Sequence, residues 1–183
     1  DKFCLEIFEI VFPQLKNLKV FLKPNKFAKI KIEEADIIFL ISVLIVDDTD
    51  NTDYFLYKFN ISKKDKKRIK FIDNFYKEKI NSKTFTENNI NKIFYYHGKE
   101  ITLDILNYRK IKSKKEDSAL NQLIQHYEIL EIPVMPISAK FLMKKYKFPE
   151  GKQLGEKLKI IEEEWVKNNF KISDNQVDNI VKN

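Results

Sequence analysis

Apolar residues recur every three or four positions along most of the chain, which is the spacing of one buried face of an α-helix. Near the N-terminus, Cys4, Leu5 and Phe8 form such a face together with Val11 or Phe12. No stretch alternates convincingly between apolar and polar residues, as a half-buried strand would. We therefore predict an all-α protein, an irregular multi-helix array of roughly eight to ten short helices.

The pattern predicts where two of these helices lie. Residues 32–46 are apolar on nearly every side, which predicts a helix at the centre of the core. Ser62 is a good N-cap, and Asp65 three positions later nearly completes a capping box at the start of another helix. The predicted buried stripe of that helix is Ile69, Ile72, Phe75 and Tyr76, and its predicted exposed face is Lys63, Lys64, Lys66, Lys67, Arg68 and Lys70.

Capping residues mark further helix ends. Gly98 follows an apolar-periodic segment and is typical of a helix stop. Ser138 is predicted to cap a short helix that ends at Tyr146, and the last strong helix is predicted at residues 151–168.

A short extended link is predicted at Pro133 and Pro136, because proline interrupts helical periodicity. We predict two regions on either side of it. Residues 1–132 form a helical body, and residues 133–183 form a helical tail.

Composition narrows the class of protein. The chain has 183 residues and one cysteine, Cys4, which suits a reducing cytosol, so we expect a cytoplasmic protein. The longest apolar run, residues 35–46, is shorter than the ~18 residues of a membrane span. The chain starts with Asp1 inside an amphipathic pattern, so we expect it to be a fragment.

The formal net charge of +7 is compatible with a polyanionic partner such as nucleic acid. Of the 34 basic residues, only Arg68 and Arg109 are arginine, and lysine, asparagine and isoleucine are abundant throughout. An AT-rich coding sequence would produce the same bias. Charge alone therefore leaves both interpretations open.

No set of residues has the spacing of a catalytic or metal site. The aspartates in DDTDNTD, residues 47–53, lack the glycine and glutamate of an EF-hand and are expected to cap a helix in solvent. His97 and His126 lie far apart, and Cys4 has no neighbouring base. Phosphate-binding loops and hydrolase or metalloprotease motifs are absent from the sequence.

Two of the chain's three glycines, Gly151 and Gly155, lie four residues apart where the last strong helix begins. A helix N-terminus presents free N–H groups, and glycine there lets a phosphate approach the backbone. Lys152 and Lys157 add positive charge. The alternative is structural: Gly151 ends a turn, and Gly155 lets the helix pack closely against a neighbour.

The segment from Pro133 to Phe170 resembles the C-terminal part of bacterial CCA-adding tRNA nucleotidyltransferases and the related poly(A) polymerases. The residues that match the family pattern are Pro136, Ile137, Ser138, Leu142, Pro149, Gly151, Leu154, Gly155, Leu158, Glu163 and Trp165. The chain departs from that pattern at Ala139, Phe141 and Lys152. Upstream segments resemble the family more loosely and in the same order.

The resemblance implies a division of labour. In the family, a catalytic head holds Mg²⁺ with an aspartate pair, and a neck reads CTP or ATP. Motifs of both are missing from this sequence, so we expect no catalytic residues, no metal or cofactor in this chain and no enzymatic activity by itself. What remains corresponds to the body and tail, which the family uses to grip the acceptor and TΨC arms of tRNA.

We therefore expect a tRNA-binding region of a CCA-adding or poly(A)-adding enzyme that contacts RNA phosphates. The expected contact residues are Gly151, Lys152, Gly155, Lys157 and Lys140, with a weaker set at Lys63, Lys64, Lys67 and Arg68. The alternative is a degenerate or split-gene interaction module that packs on a separate catalytic head and binds no RNA. An exposed apolar patch around residues 3–12 would favour that alternative.

Overall fold

The computed structural model describes residues 2–18, 36–78, 85–113 and 115–182. These residues contain ten α-helices and no β-strand, which confirms the all-α prediction. The helices are α1 (Lys2–Val11), α2 (Ile37–Ile45), α3 (Asn51–Lys58), α4 (Lys63–Lys77), α5 (Glu87–His97), α6 (Lys99–Lys112), α7 (Ser118–Ile129), α8 (Ala139–Tyr146), α9 (Lys152–Lys167) and α10 (Asp174–Lys182).

The chain divides into two compact units. The first comprises the described residues within 1–81 and 100–128, and the second those within 82–99 and 129–183. The first unit therefore holds α1 to α4 with nearly all of α6 and α7, and the second holds α5 and α8 to α10. The predicted boundary between residues 132 and 133 is a different division of the chain and stays a prediction.

The core of the first unit forms where α2, α3, α4 and α6 pack together. Asp36 is the N-cap of α2, and its carboxylate accepts hydrogen bonds from the N–H groups of Ile38 and Phe39 at 2.9 and 3.1 Å. The described part of the predicted helix 32–46 is therefore confirmed, while residues 32–35 lie outside the described residues. The buried cluster consists of Phe39, Val43, Ile45, Val46, Phe55, Leu56, Ile69, Ile72, Tyr108 and Ile111.

The core of the second unit lies along α9. One side of α9 packs with α8 and α10 around Leu142, Leu154, Ile161 and Val177. Further along, α9 packs against α5, where the buried Trp165 meets the rings of Tyr95 and Phe170 edge-on at centroid distances of 5.4 and 5.2 Å. Burial of these apolar side chains contributes most of the free energy that stabilises the packing of the four helices.

The predicted helix stop at Gly98 is confirmed. α5 ends at His97, and Gly98 has a φ of 89°, a conformation that glycine adopts without strain. In the part of the chain that the structure describes, no helix is long and apolar enough to cross a bilayer.

Candidate nucleic-acid interface

The short helix α8 is built from local signals. Ser138 precedes it, and the Ser138 Oγ accepts a hydrogen bond from the Phe141 N–H at 3.2 Å. Leu142 is fully buried and anchors the inner face of the helix. The helix ends at Tyr146, and Lys147 follows in the left-handed conformation with a φ of 53°. The predicted cap at Ser138 and the predicted end at Tyr146 are both confirmed.

The lysines of α8 divide into two groups. Lys140, Lys144 and Lys147 are exposed, and none of them has an ion-pair or hydrogen-bond partner among the described residues. Lys145 instead lies 3.3 Å from a carboxylate oxygen of Asp174 and over the ring of Tyr146, with its Nζ 5.1 Å from the ring centroid. One side of α8 therefore carries free positive charge, and Lys145 ties the helix to α10.

The start of α9 is open. Gly151 is its N-cap, with a φ of 147°, and no side chain caps the first turn. A Cβ added at Gly151 or Gly155 would meet nothing within 4 Å among the described residues. The alternative in which Gly155 allows close helix packing is therefore wrong, whereas the backbone of Gly151 does require glycine.

The two lysines predicted beside these glycines have partners within the protein. Lys152 is 91% exposed, and its Nζ lies 3.7 Å from a carboxylate oxygen of Glu156 one turn later. The half-buried Lys157 donates a hydrogen bond of 2.9 Å to the carbonyl oxygen of Ile180 near the end of α10. Glu150 is also exposed just before the helix. Of the five predicted contact residues, only Lys140 is an exposed cation without a partner among the described residues.

The basic run on α4 is partly an exposed face and partly a buried ion pair. Ser62 caps α4 as predicted, since its Oγ accepts a hydrogen bond from the Asp65 N–H at 3.1 Å. Lys63, Lys64 and Lys67 are exposed, and Lys64 lies 3.2 Å from a carboxylate oxygen of Glu100.

The placement of Arg68 on this exposed face is wrong. Arg68 is only 6% exposed, because its guanidinium turns inward and pairs with two carboxylates. Its Nε and Nη2 donate hydrogen bonds to the two carboxylate oxygens of the buried Asp104, and the bond from Nη2 is 2.7 Å long. Its Nη1 lies 2.9 Å from a carboxylate oxygen of Asp36. Burial opposes the charge on Arg68, but the bonds to Asp104 and the nearby negative charges outweigh it and raise the pKa. Arg68 therefore links α2, α4 and α6 inside the first unit.

The second unit also carries a groove of about 610 Å³ between α5 and α9. Its lining contains as many lysines as glutamates, and Lys159 and Lys167 lie 3.9 and 3.5 Å from Glu163 and Glu164. The groove therefore offers no excess positive charge for RNA.

The sequence analysis did not predict α10, whose residues form hydrogen bonds with both α8 and α9. The Tyr146 hydroxyl donates a hydrogen bond to the Asp178 carboxylate, and Lys157 binds the Ile180 carbonyl. A signal for this helix was present in the sequence. Ser173 and Gln176 form a capping box, in which each side chain bonds the other residue's N–H, at 3.3 and 2.9 Å.

The described residues contain no cluster of three or more His, Cys, Asp or Glu side chains that could hold a metal ion. In the aspartate-rich loop, the carboxylate of Asp47 accepts hydrogen bonds from the N–H and hydroxyl of Thr49, at 3.2 and 2.6 Å. Asp48 and Asp50 are exposed.

Comparison with known proteins identifies a family for this chain. Residues 28–182 match a family model described as tRNA nucleotidyltransferase domain 2, and this range includes α2 to α10. No curated protein matches the chain. The family match confirms the resemblance and covers residues 28–182, which include the tail motif and most of the more loosely similar upstream segments.

Proposed function

The chain belongs to the tRNA nucleotidyltransferase domain 2 family, and from this premise we propose that it binds tRNA as the non-catalytic part of such an enzyme. The observation that carries the proposal is the family match over residues 28–182. In this proposal, the chain grips the acceptor and TΨC arms through phosphates and leaves base sequence unread, because every tRNA must be accepted.

The surface of the second unit supports phosphate binding. Gly151 and Gly155 leave the backbone at the start of α9 uncovered. Lys152 and Lys157 lie on α9, and Lys140 lies on α8. Lys63, Lys64 and Lys67 on α4 form a second exposed basic set in the first unit. Arg68 does not belong to this set, because its guanidinium is bound to Asp104 and Asp36.

Salt dependence of tRNA binding tests the proposal. Each phosphate contact releases counterions, so about four contacts would lower the affinity on the order of 100-fold between 50 and 200 mM salt. Filter binding with bulk tRNA measures this. Absent binding, or binding that salt does not weaken, would contradict the proposal.

The substitution Lys152→Glu probes the predicted contact at α9. It should weaken tRNA binding, because it puts a negative charge beside the open helix start. It should leave thermal stability nearly unchanged, because Lys152 is 91% exposed. An unchanged affinity would remove Lys152 from the interface.

We also propose that the chain has no nucleotidyltransferase activity by itself. Incubation with tRNA that lacks its 3′ end, together with CTP, ATP and Mg²⁺, should give no extension. A complete CCA-adding enzyme in a parallel reaction shows that the tRNA is a competent substrate. Extension by the chain alone would contradict the proposal.

One observation favours a second candidate, an interaction module for a separate catalytic head. α1 exposes large apolar side chains, at Phe3, Ile7, Phe8, Ile10 and Val11. Exposed apolar patches of this kind are typical of protein interaction sites. Ile10, at 79% exposed, is the best probe.

Co-elution with a nucleotidyltransferase head domain tests this candidate. Ile10→Glu should abolish a complex that forms through α1, while Glu9→Gln on the same exposed helix should preserve it. This candidate also requires that the chain alone binds no tRNA, which the salt experiment decides.

A further inference from the structure

We propose that the outer face of α8, formed by Lys140, Lys144 and Lys147, is the principal RNA-phosphate-binding surface of the second unit. This inference rests on the proposed function and moves its main contact from the start of α9 to α8. It rests on the partners of the lysines: those on the outer face of α8 have none among the described residues, whereas those at the start of α9 are bound to other groups of the protein.

The geometry of α8 presents these lysines together. Lys140 and Lys144 are one helical turn apart, so their Cβ atoms are about 5–6 Å from each other. They lie on the side opposite the fully buried Leu142, and Lys147 follows at the C-cap. All three side chains are exposed and lack partners among the described residues.

The charged residues within α8 itself are all positive. α8 contains no aspartate or glutamate, and its remaining lysine, Lys145, is held by Asp174 and Asp178 of α10. Closely spaced ammonium groups without carboxylates repel one another and attract polyanions. An RNA backbone, which carries one negative charge per nucleotide, complements this face.

The start of α9 is different. A phosphate bound there would compete with Glu156 for Lys152 and with the Ile180 carbonyl for Lys157. The exposed carboxylates of Glu150 and Glu156 would also repel it. Phosphate binding at α8 disrupts no interaction that these lysines make with described residues, so a larger share of the binding free energy should come from α8.

The residue type also fits backbone contacts. Lysine carries a compact charge on a flexible stem and lacks the planar fork with which arginine reads guanine or clamps a phosphate. A lysine face therefore recognises the position of phosphates and carries little sequence information.

A pair of charge-matched double variants tests the proposal. Lys140→Gln with Lys144→Gln removes two unpaired charges, whereas Lys159→Gln with Lys167→Gln removes two charges of the same unit that lie beside glutamates. The first variant should lower tRNA affinity about tenfold and reduce the slope of log affinity against log salt by about 1.5. The second should change affinity by less than about threefold.

The outcomes separate this inference from the proposed function. If the wild-type chain binds tRNA and either the α9 variant or Lys152→Glu loses as much affinity as the α8 variant, the inference is wrong and the proposed function stands. If the wild-type chain binds no tRNA, both fail. Thermal melting of both variants checks that neither loss comes from unfolding, and a second α8 variant, Lys140→Arg with Lys144→Arg, should retain affinity because it keeps both charges.

Discussion

α4 and α8 look alike in sequence, because each is a lysine-rich helix with a serine N-cap, yet the fold pairs a larger share of the cations of α4. On α4, Arg68 is buried against Asp104, and Lys64 pairs with Glu100. Lys140 and Lys144 of α8 and Lys147 at its C-cap remain in solvent without a partner among the described residues, and Lys145 is paired. Lys70 and Lys77 of α4 also pair, with Asp53 and Asp73, so four of its seven basic side chains have carboxylate partners and α8 leaves a larger share of its cations available.

The difference lies in what the neighbouring elements supply. α6 brings Asp104 and Glu100 to α4, whereas the carboxylates that α10 brings to α8 reach only Lys145. A basic segment is therefore available to a polyanion only where the fold provides no carboxylates. This property belongs to the tertiary structure and is not visible in the run of lysines itself.

The largest expected effect concerns Arg68. Arg68→Ala should lower the free energy of unfolding by about 3–5 kcal/mol, because it leaves Asp104 buried without its partner. Lys67→Ala, at the exposed neighbouring position, should change it by less than about 0.5 kcal/mol. Denaturant unfolding measures both, and equal effects would mean that Arg68 is not a structural ion pair.

A double substitution sharpens that result. Arg68→Met with Asp104→Leu removes both charges and should recover most of the stability lost in Arg68→Ala, since a buried ion pair can often be replaced by apolar residues. A double variant as unstable as the single one would show that packing around Arg68, rather than charge, dominates.

Removal of the N-cap serine should cost α4 and α8 similar amounts of stability. Ser62→Ala and Ser138→Ala should each cost about 1 kcal/mol, because each serine Oγ accepts a hydrogen bond from the third N–H of its helix. Thermal melting measures the pair. Very different costs would mean that α4 and α8 differ in local helix stability as well as in charge.

Lys147 affects both the stability of the protein and the positive charge available to tRNA. Because its φ of 53° is unfavourable for a residue with a Cβ, Lys147→Gly should raise stability by about 0.5–1 kcal/mol. The same change should weaken tRNA binding, since it removes a cation from the α8 face. Stability and affinity moving in opposite directions would separate the electrostatic role of Lys147 from a structural one.

The smallest effect is expected in acid. The hydrogen bond from Tyr146, aided by Lys145 and Lys182, lowers the pKa of Asp178 from its ordinary 3.8. A lowered folded-state pKa adds stability that is complete above pH 3.8 and is lost as the pH falls through the folded value. The melting temperature of Asp178→Asn should therefore lie below wild type at pH 6 and approach it near pH 3. A gap that stays constant with pH would contradict this.

The features that sequence predicts here are those encoded within a few residues. Ser62, Ser138 and Gly98 act on their own helices, and their roles follow from local rules for caps. The pairing of Lys152 with Glu156 is equally local and follows from the i,i+4 rule, although the prediction of an available lysine did not use it.

The features that sequence does not predict depend on distant residues. Arg68 lies 36 positions before Asp104, so its burial follows from the packing of α4 on α6 and not from its neighbours. Lys157 was expected to be available because α10, which supplies the Ile180 carbonyl, was missed. The lysines that are free on α8 can be identified only after all such partners are known.

The single tryptophan of the chain, Trp165, lies buried in the second unit between Tyr95 and Phe170. Its fluorescence is therefore an intrinsic optical reporter of that unit alone, while circular dichroism reports the helices of both. Coincident unfolding curves from the two signals would mean that the units unfold cooperatively, and separate curves would give each unit its own midpoint. The protein can thus be dissected into its folding units without any added label.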